Sequence, residues 1–162
     1  MDNLFNTIRS DPKISQMVIW KSLLRILLSS RSDPDFKIAQ VVETLDGGLL
    51  FDLRQYSKGK STKNGISLPV AETKWLGNCL QSDKVKYSVE HGNRTLKFEK
   101  SPSSLTLHVI RSDESERMVI LNKNEEKCLM ENLNKLLEIM LKRAIELGCE
   151  TDFNEFEYVK EN

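Results

Sequence analysis

From Phe36 to Gly148 the chain passes twice through one order of patterns, short alternating strands followed by an amphipathic helix, and this repetition limits the folds open to it. In the first pass Phe36, Ile38 and Val42 alternate with Lys37 and Glu43, Asp46-Gly47-Gly48 marks a turn, and Leu49, Phe51 and Leu53 alternate with Asp52 and Arg54. That period of two with a glycine turn is a hairpin signature. Ser57 to Asn64 reads as a polar, basic loop closed by Asn64-Gly65, after which Ile66-Ser67-Leu68 is a short strand and a helix follows Pro69 to about Leu80. In the second pass Lys86 to Glu90 and Thr95 to Lys100 flank the turn His91-Gly92-Asn93, and Leu105 to Arg111 and Arg117 to Leu121 follow. Asn122 or Asn124 then caps a long helix that Gly148 ends, with Leu129, Leu133, Leu136, Leu137, Met140, Leu141 and Ala144 at helical spacing.

Each pass supplies one apolar sheet face and one helix, too little to bury alone, so the halves are expected to pack on each other. The fold class expected is α+β: two tandem sheet-plus-helix units of ββββα type forming an intramolecular pseudo-dimer, preceded by an N-terminal amphipathic helix. That helix is placed at 12 to 29, because Asp11-Pro12 is an N-cap followed by proline and Ile14, Met17, Val18, Leu24, Leu27 and Leu28 fall on one helical face. The boundaries drawn are 1–33 for the helical segment, 34–83 and 84–149 for the two repeats, and 150–162 for an acidic tail.

Composition narrows the function. Lys plus Arg and Asp plus Glu are both 24 in 162 residues, so the chain lacks the bulk positive field common in nucleic-acid binders. The charge is uneven, with six basic and ten acidic residues from 123 onward, and Arg54, Lys58, Lys60 and Lys63 share a stretch without an acidic residue. Cys79, Cys128 and Cys149 have no metal-type spacing and do not suggest a disulfide framework. His91 and His108 lack ligand-spaced neighbours, and neither a nucleophile elbow nor a phosphate-cradling glycine loop is present, so no enzyme, metal or cofactor is expected. The apolar run Met17 to Leu28 is interrupted by Lys21 and Arg25 and is too short to span a bilayer, leaving nucleus or cytoplasm as the expected compartment.

The stretch Phe51-Asp-Leu-Arg-Gln-Tyr56, with Lys60, Lys63, Asn64-Gly-Ile-Ser-Leu68 and Trp75, resembles the transcriptional positive cofactor 4 family. Gly65-Ile-Ser-Leu-Pro-Val-Ala-Glu72 also looks like the repeat of the purine-rich-element-binding (PUR) family, in which two repeats in one chain form a domain. The resemblance spans residues 36 to 80. It implies a module in transcription or in DNA or RNA metabolism that holds single-stranded DNA or RNA on its strands. The chain departs from the cofactor 4 pattern at Leu45, Asp46 and Gly48, where that family's turn carries an aromatic and lysines, and at Ser57, which replaces an aromatic.

The residues so assigned to nucleic acid are Lys37, Arg54, Tyr56, Lys58, Lys60 and Lys63: cations for phosphates and a ring for a base. Each has a plainer reading. Arg54 can pair with Asp52 or Glu43, Tyr56 can pack on a neighbour, and a lysine-rich loop is often only solvated. Trp75 is expected in the core. A rival reading makes the chain an adaptor that keeps the fold without nucleic acid, its long C-terminal helix meeting a second copy or a protein partner.

Overall fold

The computed structural model describes residues 19–148 and 157–159, except 31, 33, 45, 46, 83, 84 and 114, and except the side chains of 19, 20, 61, 63, 91 and 157–159. The first half contains β1 (Ile19–Leu27), β2 (Asp35–Thr44), β3 (Leu49–Ser57), β4 (Lys60–Leu68) and α1 (Val70–Gln81). The second contains β5 (Lys86–His91), β6 (Arg94–Lys100), β7 (Ser104–Arg111), β8 (Glu116–Asn122) and α2 (Lys123–Leu147), followed by β9 (Glu157–Val159). The strands form two antiparallel meanders, ordered β1-β2-β3-β4 and β8-β7-β6-β5-β9. The α+β class and the two strand-rich halves, each closed by a helix, match the expectation.

Two expectations fail. The helix placed at 12 to 29 is a strand over 19–27, paired along β2; residues 12 to 18 lie outside the described residues. Register shifts between Ile19 and Lys21 and between Ser22 and Leu24 break the alternation of two, so the leucines fall at spacings that mimic a helix face. An isolated helix this short is marginal in water, and the full ladder along β2 decides the outcome. The basic loop from Ser57 to Asn64 is also absent. β3 passes into β4 through the two-residue turn Lys58-Gly59, with φ of 52° and 78°, the paired positive values of a tight hairpin.

Beyond that turn the register jumps from Tyr56↔Ser61 to Arg54↔Gly65. Thr62 Oγ1 holds the bulged backbone, donating to the Gln55 carbonyl at 3.1 Å and accepting from the Asn64 amide at 3.1 Å. Gly65 is needed where the strands close up again, since a Cβ there would lie 3.0 Å from the Leu53 carbonyl oxygen.

One hydrophobic cluster runs through both halves. It joins Phe51, Leu53, Trp75 and Leu76 to Leu96, Phe98, Leu105 and Leu121 through Leu129, Leu133, Leu136, Met140 and Ala144 of α2. The long helix touches β1, β2 and β3 of the first sheet as well as β7 and β8 of its own. Gly77 lets α1 approach it closely, because a Cβ there would meet Leu137 at 3.3 Å and Leu133 at 3.5 Å. The helix starts with a reciprocal capping box between Asn122 and Glu125 and stops at Gly148 in the left-handed region. The C-terminal residues Glu157–Val159 add a short strand to the β5 edge; the rest of the acidic tail lies outside the described residues.

Because the core is shared, Leu136→Ala, at a site with no exposure, is expected to cost about 2–5 kcal/mol. Urea unfolding followed by tryptophan fluorescence and by far-ultraviolet circular dichroism should give coincident, single transitions in wild type and variant. Two separated transitions would contradict a common core.

Candidate nucleic-acid interface

The first sheet has a helix side and a far side, and strand parity decides which side chains reach each. On β2, Lys37, Ala39, Val41 and Glu43 face α2. The Lys37 ammonium donates to both Glu125 carboxylate oxygens, at 3.0 and 3.1 Å, and Arg143 binds Glu43. Lys37 is therefore removed from the candidate interface. The sequence makes it a candidate nucleic-acid contact on the strand beside Arg54, but its partner lies 88 residues away on a helix whose position no local pattern reveals.

The far side carries Phe36, Ile38, Gln40 and Val42 of β2 opposite Tyr56, Arg54, Asp52 and Leu50 of β3. A polar row crosses the sheet here. Ser22 Oγ and Arg25 Nε donate to Gln40 Oε1 at 3.3 and 3.2 Å, and Gln40 Nε2 donates to Asp52 Oδ2 at 2.8 Å. Asp52 also accepts from Arg54 Nε and, at 3.0 Å, from Ser67 Oγ. Gln40 is 1% exposed and Asp52 4%, and Ile38 and Val42 beside them are equally buried, so the middle of this face is closed to a ligand. Every member of the row has a partner, as burial of an amide and a carboxylate demands.

Access remains at the margin next to the β3–β4 turn. Arg54 is 26% exposed despite its bond to Asp52. Tyr56 is half-buried and lies parallel to Phe36, with ring centroids 4.8 Å apart and planes within 5°. Lys58 and Lys60 are exposed, and among the described residues neither pairs with a carboxylate. The backbone of Lys63 lies in β4, in the bulged stretch; its side chain is outside the described residues. The structure thus brings Arg54, Tyr56, Lys58 and Lys60 to one end of the sheet and adds Phe36, which the sequence pattern placed only as a strand hydrophobe.

Arg25 and Gln40 also escaped the sequence reading, the first because it fell in the expected helix. The signal was a buried-strand glutamine opposite an aspartate, legible only once the register is known. Trp75, 1% exposed, is in the core as expected. Leu45 and Asp46, two of the departures from the cofactor 4 pattern, lie outside the described residues, whereas Ser57 donates to Asp35 Oδ1 at 2.7 Å. Among the described residues no group of three or more His, Cys, Asp or Glu is placed to hold a metal ion. No described helix is long and apolar enough to cross a membrane.

No family model matches the chain. No curated protein matches it either. Among solved structures, a guide-RNA-binding protein complex bound to a guide RNA aligns at 15% identity and a TM-score of 0.44, covering 76% of this chain and 92% of that one. Trypanosoma brucei MRP1/MRP2 aligns at 16% identity and a TM-score of 0.45, covering 85% and 96%.

Replacing Lys37 with methionine leaves Glu125 buried with the Asn122 amide as its remaining hydrogen-bond donor. The expected result is a loss of about 1–3 kcal/mol in chemical denaturation. Oligonucleotide affinity, read by fluorescence anisotropy, should stay at the wild-type value.

Proposed function

We propose that the chain binds single-stranded nucleic acid, RNA or DNA, at the margin of its first sheet. The observation that carries this reading is the coincidence of three features at one strand end: parallel Phe36 and Tyr56 rings, the partly exposed Arg54 side chain, and a tight turn presenting Lys58 and Lys60 without carboxylate partners among the described residues. Rings offer a stacking surface to any base, and the cations answer the phosphates between bases. Asp52 binds Arg54 through its Nε, which restricts the side chain before any ligand arrives and leaves the bond to Asp52 on Nε alone among the contacts described. Two ββββα units would then make within one chain the paired arrangement that the cofactor 4 and PUR resemblances imply. Transcription or DNA or RNA metabolism is the setting those resemblances suggest, in the nucleus or the cytoplasm.

Protein contact is a second reading, favoured by Met118 and Ile120, which are 45% and 48% exposed on the outer face of β8. The long helix suits this reading less than its sequence suggested, because most of its apolar side is covered by the two sheets and α1.

Titration of labelled single-stranded RNA and DNA of about a dozen nucleotides should show binding that weakens with salt. The logarithmic slope should be about 0.7 per phosphate neutralised. Lys58→Ala with Lys60→Ala should flatten that slope by about 1.4, and Tyr56→Ala should cost about 1–3 kcal/mol without changing it. Equal affinities and slopes in wild type and variants would remove the interface; saturable binding of a protein partner in place of oligonucleotide would favour the second reading.

A further inference from the structure

The second sheet contains an arrangement of arginines that packing alone does not explain. Arg94 and Arg111 are direct cross-strand partners on β6 and β7, and Arg117 on β8 faces Val109, one pair along on the same side. Directly opposed like charges destabilise a strand pair. Arg94 is compensated: its guanidinium lies 3.2 Å from the buried Glu72 carboxylate of α1 and donates to the Ser67 carbonyl at 3.0 Å. Burial depresses the Arg94 pKa, Glu72 raises it, and Arg111 lowers it further. Among the described residues Arg111 has no buried carboxylate of this kind, only the exposed Asp113, whose pKa its charge helps to lower. Arg111 is exposed and lines a cleft of about 170 Å³ with Val109, Asp113, Ser115 and Arg117.

We propose that this cleft, with Arg111 and Arg117 as its cationic walls, binds a phosphate group. Two guanidiniums from adjacent strands can offer forked N–H donors to a tetrahedral oxyanion, a geometry lysines do not supply. Asp113 also lines the cleft as a carboxylate that the Ser115 hydroxyl at 2.6 Å, the Ser115 amide at 3.0 Å and the Arg111 charge hold ionised, so a phosphate must compete with it for Arg111. Arg94 does not line the cleft; its charge is answered by Glu72. The site lies on the second sheet, separate from the first-sheet margin, and goes beyond the reading given above. Its phosphate can come from a nucleic-acid backbone or from a free small phosphate, since the recognised chemistry is the same.

The test is a titration of the full chain with sodium phosphate at constant ionic strength, balanced by sodium chloride and followed by amide nitrogen–proton spectra. Saturable shifts centred on residues 109 to 117 are expected. Arg111→Gln and Arg117→Gln should each weaken the apparent affinity roughly tenfold, and Lys58→Ala with Lys60→Ala should leave it unchanged. Arg111→Gln should also keep or raise the thermal midpoint, because it removes a like-charge pair, whereas an arginine present for packing would lower it. Adding a single-stranded oligonucleotide that displaces the bound phosphate assigns the site to a nucleic-acid backbone, and a shift that survives it assigns a free phosphate. Unsaturable shifts equal to those in chloride alone, or variants that bind phosphate as wild type does, overturn the proposal. An oligonucleotide that fails to bind at the first-sheet margin leaves this outcome readable, since the phosphate titration does not depend on it.

Discussion

The position of α2 governs the rest of the molecule. The helix runs along β2 in the same direction, with Glu125 of its first turn bonded to Lys37 and Arg143 of its last turns bonded to Glu43. Between these ends Leu129, Leu133, Leu136, Met140 and Ala144 are under 2% exposed. At about 25 cal/mol per Å² the apolar burial supplies the attraction. The ion pairs add little net energy once their desolvation is counted, but they fix how far the helix slides along the strand. A helix contributed by the second half thus becomes part of the roof over the first sheet, and neither half has a complete core without the other.

Covering one face of the first sheet concentrates the remaining chemistry on the other. There the polar row from Ser22 and Arg25 through Gln40 and Asp52 to Arg54 and Ser67 crosses all four strands, buried at Gln40 and Asp52 and exposed at Ser22, Arg25 and Ser67. A slip of one residue in any register would turn Gln40 or Asp52 toward the apolar core, so this row specifies strand alignment as well as satisfying its own members. It also divides the face. The centre is closed, and the accessible groups lie at its margins: Ser22 and Arg25 on β1, Ser67 on β4, and the end where Phe36, Arg54, Tyr56 and the β3–β4 turn meet.

In the tight turn the proposed interface and the backbone geometry share residues. Lys58 takes a positive φ that a non-glycine residue adopts at some cost, and its amide donates to the Pro34 carbonyl at 2.7 Å. The cation is thereby set on a rigid hairpin, where a flexible loop would lose more entropy on binding.

What the sequence settled by itself was whatever depends on local periodicity. The hairpin strands of both halves, the extents of the two helices, the Gly148 stop and the buried Trp75 all follow from spacing, capping chemistry and turn residues within a dozen positions. What only the tertiary structure decided depends on partners far along the chain. Ile19–Leu27 is a strand because β2 offers it a ladder, and its bulges erased the alternation that would have announced it. Lys37 faces inward because Glu125 waits on a helix 88 residues later. Lys60 to Asn64, polar throughout, is strand because it pairs with the end of β3, and a polar run carries no hydrophobic period by which to be read. Side-chain pattern records which face is buried; it does not record which distant element does the burying, and the location of the candidate interface turns on that second fact.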